Sequence, residues 1–267
     1  MNYPKLSSAI DEYISSILSA KSWWYEQGQK SQLKYWNRQL GHRRVDQITP
    51  EMVILPNRSP ATKNRYATAL KCVLGQYGIN LQIERFKESN RIRFLSDDER
   101  IRLLEACRKS RNPHIYSIVV VALSTGMRRG EILKLTWDRV DLNRGLIYLV
   151  ETKNGDKRMI PICGHALELI QQLPKNSKYV FPSKFGSFYR DIGYHWYPIL
   201  KEAGITGFRF HDIRHSAASL LAMNGVTLLD IGTILGHRDI KTTMKYAHLS
   251  VNHLRGVLNE LNDTMFP

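Results

Sequence analysis

Two arginines, two histidines and one tyrosine lie along the second half of the chain in an order that suits phosphate chemistry. Arg128 lies in the segment TGMRRGE, and His211 and Arg214 share the segment HDIRH. His237 follows Arg214 by 23 residues, and Tyr246 follows His237 by nine. A guanidinium group donates two parallel hydrogen bonds to a phosphate without losing its charge, histidine moves protons near neutral pH, and tyrosine can attack as a nucleophile. Together these side chains supply what an attack on a phosphodiester without a metal ion requires.

Such an attack makes separate demands on separate groups. The non-bridging phosphate oxygens must be neutralised as negative charge builds on them. The nucleophile must lose a proton and the leaving 5′-oxygen must gain one, and a covalent intermediate is needed if the strand is to be rejoined. We assign the phosphate oxygens to Arg128 and Arg214. Glu131 lies three residues after Arg128 on the same helical face, where its carboxylate can orient that arginine.

A metal site is an alternative use of the same histidines. His211 and His215 are four residues apart, a spacing that can place two ligands on one face of a helix. No glutamate follows His211 as in a zinc-protease motif, and no cysteine or carboxylate cluster completes a ligand set. A zinc hydrolase would lose its activity with a chelator. We expect neither a metal nor another cofactor.

Composition and charge indicate a nucleic-acid partner. The 267 residues are 43% hydrophobic and 24% charged, with a net charge of +15. Residues 1–90 carry 13 basic and 7 acidic residues, so +6 of the excess lies there and +9 in the remainder. A positive field of this size attracts polyanions. The three separated cysteines, the absence of a secretory leader and the lack of an apolar run of about 18 residues favour a cytoplasmic protein that uses no membrane.

The first part of the chain has the pattern of a small all-helical domain, which we place at residues 1–88. Apolar spacing predicts helices over 7–27 and 31–40, and Ser59-Pro60 marks the start of another. That third helix carries basic residues interleaved with polar and aromatic ones, a face that suits DNA or is simply solvated. We expect DNA contacts from Lys63, Arg65 and Lys71.

Residues 89–95 have no helical period, and we interpret them as a linker whose Arg91 and Arg93 also contact DNA. Residues 96–267 form the second predicted domain. Ser96 and Glu99 have the spacing of a capping box, and an almost wholly apolar helix over 115–124 is expected at the centre of the core. Two strands, 146–150 and 159–162, flank Asn154-Gly155, a strong hairpin signal beside Lys153.

These segments resemble the tyrosine recombinase (phage integrase) family. The resemblance rests on five pieces in the family's order and spacing: TGMRRGEIL at 125–133, TKNG at 152–155, HDIRH at 211–215, LGH at 235–237, and Tyr246. The N-terminal segment is similar in size and position to the family's core-binding domain. The implied fold is mainly α, with a small helical DNA-binding domain and a larger mixed helical catalytic domain that contains a small antiparallel β-sheet.

The resemblance implies a role for each matching residue. Arg128 and Arg214 would hold the scissile phosphate, and His237 would hydrogen-bond one of its oxygens. His215 would support the site without touching the phosphate.

The remaining implied roles concern the nucleophile and the protons. Tyr246 would attack and form a 3′-phosphotyrosyl link, with His211 assisting proton transfer from it. Lys153 would act as general acid to the leaving 5′-hydroxyl, although Lys157 and Arg158 share the same hairpin and compete for that role. Because the link conserves the energy of the broken bond, rejoining needs neither ATP nor a metal.

The resemblance also implies how the protein meets its partners. A clamp of two domains would enclose duplex DNA with a specific core site, and four protomers would assemble on two such sites. A terminal helix over 250–263, apolar on one side, would dock onto a neighbouring protomer or pack on its own domain. The helical domain begins almost at the first residue, which leaves no room for an extra arm-binding domain. We therefore expect a recombinase that reads its core site alone or relies on accessory DNA-bending or directionality proteins.

The sequence thus predicts a site-specific DNA recombinase of a prokaryotic cytoplasm or nucleoid. Two alternatives use the same pattern. A type IB topoisomerase or hairpin-forming resolvase would cleave in the same way without exchanging strands between duplexes. A DNA-binding protein with no catalysis would not respond to Tyr246→Phe.

Overall fold

The computed structural model describes residues 3–21, 23–53, 55, 57–88, 93–149 and 157–266. The chain divides into two compact units, Met1–Asn90 and Arg91–Pro267. Both units are built mainly from helices. Within the described ranges, none of the helices combines the length and apolar character needed to cross a bilayer.

The first unit is an all-helical bundle of α1 (Leu6–Ser16), α2 (Trp23–Leu40) and α3 (Pro60–Gly75), joined by short 3-10 turns. Its core is formed by Leu6, Leu18, Leu33, Trp36, Leu70 and Leu74, all buried. The Trp36 indole N–H donates to the Tyr66 carbonyl at 2.8 Å, which ties α2 to α3. Ser59 caps α3 by accepting from the backbone N–H of Thr62.

The predicted helix over 7–27 is wrong, because α1 ends at Ser16 and α2 begins at Trp23. The hydroxyls of Ser15 and Ser16 bond to the Glu12 carbonyl, and that of Ser19 bonds to the Ser15 carbonyl. Serine side chains that bond to the backbone in this way compete with the helical pattern. The second predicted helix, 31–40, is the last half of α2.

The second unit surrounds a buried apolar helix, α5 (Ile115–Thr125). The bounds of the other helices before the C-terminal region are α4 (Asp97–Lys109), α6 (Arg129–Leu133), α7 (Gly164–Gln171) and α8 (Gly193–Glu202). Ser96 and Glu99 form the capping box at the start of α4. Helix α5 ends at Gly126, which adopts the left-handed conformation with φ +61°.

A three-stranded antiparallel sheet of β1 (Val140–Asp141), β2 (Leu146–Leu149) and β3 (Arg158–Pro161) lies in the same unit. Ile147 pairs with Val140 on one side and with Ile160 on the other. Strand β1 was not predicted, since two residues give no alternating pattern. The predicted hairpin turn, with Lys153 and Asn154-Gly155, lies outside the described residues.

The C-terminal region consists of α9 (Asp212–Met223), α10 (Leu228–Leu235), α11 (Lys241–Met244) and α12 (Val251–Met265). Gly236 closes α10 in the left-handed conformation with φ +66°. Tyr246 follows α11 and is fully buried beside Ile231 and Leu235 in a small apolar cluster. The apolar side chains of α12 are exposed.

Candidate active site

The two predicted phosphate-binding arginines are brought together by two left-handed turns. Arg214, on α9, donates to the carbonyls of Gly126 at 2.8 Å and Leu235 at 2.6 Å. Arg128, at the start of α6, donates to the carbonyl of Gly236 at 3.1 Å. The ends of α5 and α10 therefore position both guanidinium groups through backbone oxygens, which do not change rotamer.

Electrostatics at Arg214 show that this pocket favours an anion. The side chain is only 5% exposed. Burial and, after it, the charges of Arg128 and Arg158 together lower the pKa of Arg214 to about 10, while Glu131 opposes them. Positive groups held this close without enough negative charge between them are stabilised when a phosphate binds.

Glu131 lies against Arg128 and shares its carboxylate with a third arginine. One oxygen accepts from Nη1 of Arg128 at 2.9 Å, and the other accepts from the Arg128 backbone N–H at 2.8 Å. The second oxygen also accepts from Nη2 of Arg158 at 2.8 Å. Both carboxylate oxygens are therefore used to orient arginines.

His237 follows Gly236 directly and faces the same group of cations. Its Nδ1 lies 2.8 Å from Oγ1 of Thr243, a fully buried side chain. Burial lowers the pKa of His237 to about 4, with Arg214 the largest of the nearby positive charges that add to the effect. The imidazole is therefore neutral at physiological pH and can donate one hydrogen bond.

Tyr246 makes its contact with His215 and not with His211. The hydroxyl of Tyr246 lies 2.5 Å from Nδ1 of His215, and Nζ of Lys245 lies 3.4 Å from the same nitrogen. Burial lowers the pKa of His215 to about 4, with Lys245 the next cause. Burial raises the pKa of Tyr246 to about 12, although Arg214 acts against it. In the tautomer that carries its proton on Nε2, a neutral His215 can accept a hydrogen bond at Nδ1 from the hydroxyl of a neutral tyrosine.

His211 takes a more peripheral position. Its side chain is exposed, and its ring packs edge-on against His215 with centroids 5.3 Å apart. The surrounding protein lowers the pKa of His211, and Arg214 adds to the effect. The structure thus places the Tyr246 hydroxyl against His215, to which the resemblance gave a supporting role, and not against His211, to which it gave proton transfer.

The side chains predicted to contact DNA differ in their exposure and in the contacts they already make within the protein. Arg65 is exposed on α3, whereas the Lys63 ammonium lies 4.8 Å from the Phe86 ring centroid and Nζ of Lys71 donates to a carbonyl of its own unit. Arg93 forms an ion pair with Glu99 at the start of α4, so its charge is largely used within the protein. Arg91 and the predicted general acid Lys153 lie outside the described residues.

Arg158 was named only as a competitor of Lys153 for the role of general acid, and Thr243 and Lys245 were not predicted at the site. The alternation of apolar and polar residues along β3 contained a signal for the inward position of Arg158. Arg158 and Ile160 are two residues apart and share the inner face of the strand, while Met159 and Pro161 are exposed. Thr243 and Lys245 give no comparable signal, since their place depends on the fold of the segment after α10. Within the described part of the chain, no three histidine, cysteine or carboxylate side chains meet as a metal site.

A groove lined by basic side chains runs beside Arg128. Lys134, Arg139 and Lys178 line it together with Arg128 itself, and Glu131 and Asp138 add two acidic side chains. Basic side chains thus continue outward from Arg128, whose side chain is partly exposed, whereas Arg214 is buried.

Comparison with known proteins identifies the family of this arrangement. The profile of the phage integrase family matches residues 93–253, more than half of the chain. The shufflon-specific DNA recombinase of Escherichia coli is 34% identical over 162 residues, which are 60% of this chain and 41% of that protein. The integrase of Haemophilus phage HP1 is 32% identical over 232 residues, which are 81% of this chain and 64% of that one. The chain spans about half the length of the curated relatives it matches.

Solved structures give the same family and fold. The catalytic domain of bacteriophage HP1 integrase, 32% identical, superimposes with a TM-score of 0.51 over 63% of this chain and 95% of that domain. The Tn1549 transposon integrase, solved in complex with transposon right end DNA, is 17% identical. It matches 97% of this chain and 99% of that one with a TM-score of 0.76, a likeness of fold alone. The chain belongs to the phage integrase family.

Proposed function

We propose that the protein is a site-specific recombinase that cleaves and rejoins duplex DNA through a 3′-phosphotyrosyl intermediate. One observation carries the proposal: Arg128 and Arg214 bond to the turn that leads into His237, and the Tyr246 hydroxyl contacts His215, the residue after Arg214. Relatives named shufflon-specific DNA recombinase and tyrosine recombinase XerA support it.

In the proposed cleavage step, the oxygen of Tyr246 forms a bond to phosphorus as the bond from phosphorus to the 5′-oxygen breaks. Arg128 and Arg214 neutralise the two non-bridging oxygens, and His237 donates a hydrogen bond to one of them. The 5′-oxygen leaves with a proton from a general acid, the role that the resemblance gives to Lys153. Attack by a 5′-hydroxyl on the tyrosyl link reverses the step and rejoins a strand.

We assign the acceptance of the tyrosine proton to His215, because its Nδ1 is already in contact with the hydroxyl. Free of DNA, His215 is a weak base, since burial and the neighbouring cations hold its pKa down. A bound phosphate offsets those cations and raises the pKa of His215. The base therefore becomes effective when the substrate arrives. His211, exposed beside it, can pass the proton to solvent.

Duplex DNA with a specific core site is the proposed partner, and the action is placed in a prokaryotic cytoplasm or nucleoid. We further propose assembly into a tetramer on DNA through α12. Its exposed apolar face is formed by Val251, Leu254, Val257, Leu258 and Leu261, each about half exposed. A second copy of the chain is the proposed occupant, because lambda integrase, a protein of the same fold, was solved as a tetramer bound to a Holliday junction. Accessory DNA-bending or directionality proteins are compatible with this assembly.

A covalent-trapping screen tests the proposal. The protein is mixed with a supercoiled plasmid library of its source DNA in buffer with chelator, the reaction is stopped with detergent, and protein-linked ends are sequenced. Discrete 3′-linked ends with the wild type and none with Tyr246→Phe are expected. Scattered ends would favour a topoisomerase-like activity. DNA binding without any trapped ends would contradict catalysis by this chain alone.

A further inference from the structure

Arg158 is a largely buried arginine at the site to which the proposed mechanism gives no role. Its side chain is 10% exposed, although it lies on β3, at an edge of the sheet. Nη2 bonds to the carboxylate of Glu131, and Nη1 donates to the carbonyl of Leu235. Among the described residues, its buried Nε has no hydrogen-bond partner. Burial lowers the pKa of Arg158, and the charge of Arg128 lowers it further.

Each group that accepts a hydrogen bond from Arg158 also accepts one from a phosphate-binding arginine. The Glu131 carboxylate also orients Arg128. The Leu235 carbonyl also accepts from Arg214. The next residue, Gly236, has a left-handed backbone, and a side chain there would collide with the Arg158 guanidinium. His237 follows immediately.

We propose that Arg158 is a positioning residue that locks the phosphate-binding arginines and the turn before His237 into one rigid unit. The inference rests on the proposed function, since its consequence is on strand cleavage. Arg158 does not need to touch DNA. Its planar fork reaches two acceptors on different elements, which a lysine with a single point of charge does not match. The Glu131 carboxylate bonds to Arg128 and to Arg158 at once. Arg158 therefore fixes the carboxylate, and the fixed carboxylate holds the Arg128 guanidinium in place.

This assignment also separates Arg158 from the role of general acid. Both of its terminal nitrogens are bonded within the protein. A guanidinium group does not release its proton near neutral pH. These bonds give Arg158 a supporting role instead of a chemical one, although the sequence places it close to Lys153 in the chain.

The test compares Arg158→Gln and Arg158→Lys with the wild type on a duplex recovered by covalent trapping. Single-turnover cleavage is measured at saturating DNA, and DNA affinity is measured separately with the Tyr246→Phe background. A misplacement of about 1 Å lowers a rate about 100-fold. We expect a loss of that order for Arg158→Gln, at most a partial recovery with Arg158→Lys, and DNA affinity within about threefold. A wild-type cleavage rate in either variant would overturn the proposal.

Arg144→Gln provides the matched control, because the Arg144 side chain is 75% exposed at the turn between β1 and β2 and its ion pair with Asp141 is long, at 3.9 Å. It should cleave like the wild type. Thermal melting of each variant shows whether it is folded at the assay temperature.

A double-mutant cycle with Glu131→Gln then tests whether Arg158 acts on Arg128 through Glu131. If Arg158 acts through Glu131, the two losses combine to less than their product. Independent, multiplicative losses would contradict that route.

A measurement without DNA keeps this inference separate from the recombinase proposal. The charge of Arg158 is one of those that lower the pKa of His237. NMR titration of labelled histidine should therefore show a higher pKa for His237 in Arg158→Gln and no change in Arg144→Gln. If the wild type forms no covalent complex, the recombinase proposal fails and this titration still decides the placement of Arg158. An unchanged His237 pKa in Arg158→Gln would contradict the placement of the Arg158 charge beside His237, and with it the positioning role.

Discussion

At the scale of the residue, the contact between His215 and Tyr246 decides how the nucleophile is activated. The order of residues identifies both, but the motif gives His211 the proton-accepting role. His211 directly precedes α9 and His215 lies in its first turn, so the two side chains are about one helical turn apart on the same side. No spacing rule distinguishes them, because the choice depends on where the segment after α10 places the tyrosine.

His215→Asn should therefore slow single-turnover cleavage more than His211→Asn. General-base catalysis contributes about 100-fold or more, and we expect a loss of that order for His215→Asn. His211 is exposed and, in the proposed mechanism, only passes the proton on, so the loss for His211→Asn should be smaller. Rates are measured at saturating DNA. The reverse order of effects would show that Tyr246 leaves His215 when DNA binds.

The depressed pKa values of His215 and His237 also predict how stability depends on pH. His215 and His237 have a pKa of about 4 in the folded protein, below the ordinary value of 6.5. As pH falls from about 6.5 towards 4, the unfolded chain binds protons that the folded chain does not, so stability falls. Allowing for partial exposure, each should contribute roughly 1 kcal/mol of loss by pH 5. Thermal melting at pH 7 and pH 5 measures this. His237→Asn should weaken the dependence.

At the scale of the element, the site depends on helix ends more than on helix faces. Gly126 ends α5 and Gly236 ends α10, and the carbonyls around these turns hold Arg128 and Arg214. The sequence identifies both stops, because glycine after an apolar helix favours a left-handed cap. It does not show that the two caps meet in space.

Gly236→Ala tests this dependence on the caps. An alanine at φ +66° is strained, and its Cβ would displace the Arg158 guanidinium. We expect a loss of about 1–2 kcal/mol in stability and a larger proportional loss in cleavage rate. Gly256→Ala, within α12 where nothing lies close, serves as the control and should not lower stability. Equal behaviour of the two variants would contradict the account.

Much of the fold was predictable at this scale, and the exceptions have physical causes. The Ser96–Glu99 capping box and the buried α5 follow directly from local pattern. The break between α1 and α2 was missed because apolar spacing continues across it while serine hydroxyls bond to the backbone. Arg158 was missed as an inward residue because a charge on an edge strand is usually solvated.

At the scale of the whole molecule, α12 is the element whose surroundings are incomplete. Its apolar side chains project from the unit to which it belongs, whereas an amphipathic helix normally buries them. The sequence predicts the helix and its apolar side from spacing alone. The spacing does not decide whether α12 packs on its own unit or on a neighbouring protomer. The exposure of its apolar side chains favours the neighbouring protomer.

Leu258→Asp should therefore impair assembly without impairing the chemistry of one protomer. A charge on the apolar face should remove the higher-order complex on the trapped duplex, measured by analytical ultracentrifugation, while the melting temperature stays within a few degrees. Asn259→Asp places the same charge on an adjacent exposed position and should assemble normally. Loss of folding in Leu258→Asp alone would instead show that α12 packs on its own unit.

The central claim is that Tyr246 forms the covalent bond to DNA, and peptide mapping of the trapped complex tests it most directly. Trypsin releases residues 246–255, YAHLSVNHLR, in which Tyr246 is the only tyrosine. After nuclease trimming, mass spectrometry should find this peptide carrying a nucleotide through its 3′-phosphate, in chelator and without ATP. The adduct should be absent from Tyr246→Phe. A nucleotide on any other peptide, or DNA cleavage that persists in Tyr246→Phe, would contradict the mechanism.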